Sequence, residues 1–150
     1  MSHCGHPPRV APFAFGLLLL AGGLLAGGCT YYPTVHDTGG VRLRPSDARA
    51  VRAAAGDEAT VYFLLHSTGK FGDVLTGAEA RVARYAVLHS PAGGTLRQIS
   101  IPGETLVRFY DGGPYVVLTG LTRPLIAGEV VIVTLHFEKS GALGLVTVVE

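Results

Sequence analysis

Residues 105–141, TLVRFYDGGPYVVLTGLTRPLIAGEVVIVTLHFEKSG, constrain the fold more than any other stretch. Two apolar runs, 115–119 and 130–137, are rich in Val, Leu, Ile and Phe and are bounded by turn residues. Asp111, Gly112, Gly113 and Pro114 precede the first run, and Gly120, Pro124 and Gly128 separate the two. In the second run Val131, Val133, Leu135 and Phe137 alternate with Ile132, Thr134 and His136, the period of a strand with one buried face. Thr105, Val107 and Phe109 alternate with Leu106, Arg108 and Tyr110 in the same way. The stretch therefore predicts three short strands of an antiparallel all-β domain.

The N-terminus has a different character. Arg9 is the only basic side chain in the first ten residues, and residues 11–28 are uncharged and leucine-rich. The run ends in Ala26, Gly27 and Gly28 directly before Cys29. A weakly basic start, an apolar core and a small-residue cleavage site make a secretory signal. The rival is a retained transmembrane helix, but glycines at 16, 22, 23, 27 and 28 make a poor permanent span. The approach to Cys29 resembles a bacterial lipobox, in which the cysteine thiol is diacylated before cleavage. The usual Leu three places before the cysteine is replaced by Ala26, with Leu25 one place early. The alternative is an ordinary signal peptide with an incidental cysteine.

On the lipobox reading, residues 1–28 are the signal and Cys29 is the lipidated N-terminus. Its acyl chains hold the protein firmly on the periplasmic side of a bacterial membrane. Thr30 follows Cys29 where an Asp would resemble an inner-membrane retention signal, which favours the outer membrane. Residues 29–44 form a flexible tether and residues 45–150 the folded domain. Cleavage removes one of the twelve Lys and Arg residues and none of the eleven Asp and Glu, so the mature net charge is zero. The basic residues are scattered, which excludes an electrostatic footprint for nucleic acid. Cys4 leaves with the signal and Cys29 carries lipid, so no disulfide is expected.

Gly112-Gly113, the apolar run ending at Leu118, Gly120-Leu121-x-x-Pro124-Leu125-x-x-Gly128 and Leu135-x-Phe137-Glu138-x-x-Gly141 together resemble the PCu(A)C family of periplasmic copper chaperones. The resemblance extends over residues 41–149 through Arg44-Pro45, Tyr62, Ser67-Thr68-Gly69, Asp73-x-Leu75 and Leu88-His89. It implies an all-β, cupredoxin-like Greek-key β-sandwich that binds Cu(I) through His and Met side chains. About seven or eight strands fit the spacing of the runs. Residues 78–86 alone would pass for a helix, but the resemblance makes 82–89 a strand, with a hairpin turn at 90–94 before the run 96–101. Residues 61–65 and 143–149 supply further strands. Ser46 opens SDARAVRAAA, which predicts one short helix or turn over 46–55 before Gly56.

Cu(I) is soft, and thioether sulfur with imidazole nitrogen suits it. The resemblance implies four ligand positions, of which His89 keeps one. The Met expected across the hairpin falls near Gln98, or at Ser100 on strict spacing. The expected His-x-Met pair is Tyr115-Val116-Val117. Met1 is the only methionine and leaves with the signal. Gln98, Tyr115 and Val117 are thus degenerate ligand positions, and His89 becomes a packed or hydrogen-bonded side chain at a strand end. His66 falls before a turn, His136 faces solvent, and the pair His36-Asp37 belongs to the tether; no spacing argues for a second metal site. G-x-S-x-G, H-E-x-x-H and a glycine-rich loop opening a helix are all absent, so no enzyme is expected. Two functions compete. The favoured one is a metal-free interaction module on the membrane, with no cofactor. The alternative is a copper metallochaperone with substitute ligands, delivering copper or assisting oxidase assembly. Either implies a periplasmic protein partner.

Overall fold

The computed structural model describes residues 40–150. Ten strands follow in order: β1 (Leu43–Ala50), β2 (Ala59–Ser67), β3 (Asp73–Ala80), β4 (Ala83–His89), β5 (Thr95–Leu96), β6 (Ile99–Ile101), β7 (Thr105–Phe109), β8 (Tyr115–Leu121), β9 (Val130–Phe137) and β10 (Gly141–Val149). The strands β4-β8-β2-β1-β10-β9-β3 run side by side, and β3 pairs back to β4. The sheet therefore closes into a barrel. Closure rests on one pairing, Ala78 with Ala86, and the short strands β5 and β6 extend the sheet on either side of that seam. All pairings are antiparallel except β1 with β10.

Strict alternation puts the core inside. Val131, Val133, Leu135 and Phe137 are buried along β9, and Val61, Phe63 and Leu65 along β2. Phe63 stacks on Phe109 of β7 with centroids 4.1 Å apart. Each such side chain contributes roughly 1.5–3 kcal/mol by leaving water, which gives the described residues, none of them a cysteine, an adequate core.

Two expectations need correction. The short helix expected over 46–55 does not form, because its first half, residues 46–50, belongs to β1. Ala and Arg favour a helix by only tenths of a kcal/mol per residue, and ten residues are too few to hold one alone. Pairing with β2 satisfies the backbone instead. An extra residue enters between Ser46 and Arg49, where Asp47 takes a φ of 50° in a β-bulge. The tether also ends earlier than residue 44, since Val41 is buried and β1 begins at Leu43. The three strands expected in residues 105–141 do form, each paired with strands from outside that stretch. β7 and β8 lie end to end along one edge of β2, against Phe63–Ser67 and Ala59–Val61 respectively, while β9 pairs with β10 and β3.

Candidate functional site

Residues 111–114 step the chain outward between β7 and β8. Tyr110 N–H donates to the Pro114 carbonyl (3.1 Å) and Gly113 N–H to the Tyr110 carbonyl (3.0 Å). Gly112 has a φ of 96°, and Gly113 lies under the Tyr110 ring, where any Cβ would strike it. Both glycines are required, for different reasons. The step delivers Tyr115 to the start of β8 with Val116 and Leu118 turned into the core. Tyr115 and Val117 consequently share the outer face.

His89, the last residue of β4, lies directly opposite Tyr115. Their rings stack with centroids 5.3 Å apart and planes 16° from parallel. Tyr62 of β2 follows at 6.5 Å from Tyr115, and the Arg49 guanidinium of β1 lies 5.8 Å from the Tyr62 ring. A row of Arg49, Tyr62, Tyr115 and His89 thus crosses four strands. Sequence reasoning missed Arg49 and Tyr62, although the alternation in β2 places Tyr62 outward, beside Tyr115.

Val117 continues the face next to Val87 and is only 7% exposed. Gln98 is exposed on the link between β5 and β6 and makes no hydrogen bond or ring contact with the other three. His89 Nδ1 lies 3.3 Å from the Gly93 carbonyl. A carbonyl only accepts, so Nδ1 carries the proton in this contact. An imidazole, a phenol, a valine and an amide do not make a donor set for Cu(I). The residues at these positions do not fit the ion.

The other histidines stand apart. His66 is in β2, between Arg44 and Leu106, and not in a turn. His136 Nε2 lies 3.5 Å from a Glu79 carboxylate oxygen on the outer face of β9. Among the described residues no three His, Cys, Asp or Glu side chains converge. His36, Asp37 and Cys29 lie outside the described residues. A cleft of about 1080 Å³ between the β3–β4 hairpin and β9, with Arg81, Arg84, Tyr85 and Ile132 in its walls, includes none of the four candidate positions.

Asp73 has a structural task. Its buried carboxylate accepts from the N–H groups of Val74 (2.7 Å), Lys139 (2.9 Å) and Ser140 (2.8 Å), tying the β9–β10 turn to β3. Burial alone would raise its pKa, but the hydrogen bonds from Ser140, Lys139 and Val74 outweigh burial and hold it below the usual carboxylate value.

The barrel and its strand order define a cupredoxin-like domain with the fold of the PCuAC copper-binding domains. Residues 41–149 match the family described as "Putative lipoprotein LpqE-like", and the chain belongs to that family. Among solved structures, the chain is similar to the copper-bound PCuAC domain from PmoF2, with a TM-score of 0.65 and 24% identity over 72% of this chain and 92% of that one. The apo PCuAC domain from PmoF1 gives 0.66 and 23% over the same shares. The Cu(I) form of DR1885 from Deinococcus radiodurans gives 0.59 and 22% over 95% of each chain. No curated protein matches.

Proposed function

We propose that this protein is a membrane-anchored periplasmic lipoprotein whose PCuAC-like domain acts as a metal-free interaction module. It offers its barrel surface to a protein partner engaged in copper handling or oxidase assembly and does not carry the ion. The observation that supports this most is the state of the Cu(I) position. His89 is stacked against Tyr115 where the resemblance implies a histidine, and the sequence after Cys29 contains no thioether. Cu(I) selectivity depends on soft donors, and no sulfur follows Cys29 in the sequence. The family description supports the lipoprotein part, together with the small residues before Cys29. Metal analysis of protein purified from copper-supplemented cells tests the proposal. The expected result is copper well below one ion per chain; stoichiometric copper favours the metallochaperone with substitute ligands.

A further inference from the structure

Phe71 is 54% exposed, at the tip of the loop between β2 and β3. The loop is nevertheless tightly held. Glu104 N–H donates to the Gly69 carbonyl (3.0 Å), and Lys139 Nζ donates to the Gly72 carbonyl (3.2 Å). At Gly69 and Gly72 a Cβ would collide with the backbone of Gly40 and of Ile101. An exposed aromatic ring on a fixed loop is presented to its surroundings at little further entropic cost.

The ring also marks where the chain enters the domain. It packs beside Gly40, within van der Waals distance of a Cβ built there. Cys29 lies eleven residues before Gly40 in sequence, a separation that spans at most about 40 Å when extended. The exposed cations Arg42, Lys70 and Lys139 lie on this end of the barrel, with Glu104 and Glu138 as the exposed acids. An aromatic ring flanked by long basic side chains suits the boundary between headgroups and acyl chains. Each cation near an anionic surface strengthens attachment to it.

We propose that the Phe71 loop docks into the lipid surface to which Cys29 is attached, so that the domain stands on the membrane with this end down and the β3–β4 turn away from it. The inference rests on the lipoprotein reading. The partner chemistry is an anionic lipid bilayer: the ring enters the interface and Lys70, Lys139 and Arg42 meet the phosphates. The membrane then orients the barrel, and a tether alone would not.

The sequence has no tryptophan, so a single one serves as a reporter. Phe71→Trp and, separately, Tyr85→Trp are made in the full chain; Tyr85 is 70% exposed and lies toward the opposite end of the barrel. The processed proteins are reconstituted into phosphatidylcholine–phosphatidylglycerol vesicles with brominated acyl chains, and flotation and fluorescence are read together. The expected result is flotation of both, with a blue shift and loss of emission for F71W and neither for Y85W. Flotation with F71W as unquenched as Y85W, or with both equally quenched, overturns the docking while the anchor stands. If neither floats, the anchor reading fails, and unlipidated F71W is mixed with the same vesicles at low salt. Quenching there supports the docking surface on its own, and its absence overturns it.

Discussion

His89 and Tyr115 face each other across the β4–β8 pair with their rings 5.3 Å apart and nearly parallel. The position that the resemblance assigns to a second copper-binding imidazole is filled by a phenol that covers the first one. Aromatic pairs of this kind contribute about 0.5–1.5 kcal/mol beyond the area they bury. The contact therefore gives His89 a packing role.

Restoring the donors tests this geometry. Gln98→Met, Tyr115→His and Val117→Met together should create Cu(I) affinity, because positions 115 and 117 share a face and position 115 already meets His89. Val117 is nearly enclosed, so a longer side chain there costs roughly 1–3 kcal/mol of overpacking. Folding is checked first by circular dichroism. A folded triple variant that binds no Cu(I) shows that position 98 cannot reach the other three.

The Asp73 carboxylate supplies a pH signature. Its folded-state pKa lies below the ordinary 3.8, so its contribution is complete above the unfolded value and is lost as pH falls through the folded value. Asp73→Asn should lower stability by about 1.5–3 kcal/mol at neutral pH, since the amide turns a donor toward backbone N–H groups. The gap from wild type should shrink below pH 4. Urea melts at pH 7 and pH 3 measure both; an equal gap at the two pH values contradicts the assignment.

Cys29→Ala should abolish incorporation of labelled fatty acid and leave either an uncleaved precursor or a soluble product. Labelling and membrane fractionation report it. Identical partitioning of mutant and parent into the membrane fraction contradicts the lipoprotein proposal.

Much of the barrel was legible in the sequence because alternation is a local signal. Residues 130–137 show it clearly, and β9 follows it along its length. Pairing was less legible. Gly112 and Gly113 read as an ordinary turn between strands, whereas they let one strand path step outward and resume along the same neighbour, β2. Only the position of β2, some fifty residues earlier, reveals that. The helix over 46–55 failed for a related reason: Ala and Arg carry a weak local preference, and two strands flanking β1 override it. At the candidate site the loss of sulfur was plain from composition. What covers His89 was not, because the stack depends on the β4–β8 register.

The central claim is that the domain has given up Cu(I). Competition between the unmodified mature protein and a Cu(I) chelator under reducing conditions tests it most directly. The account predicts that the chelator keeps all of the copper and that the melting temperature does not change when Cu(I) is added. Withdrawal of one equivalent by the unmodified protein, lost again in His89→Ala, would contradict it.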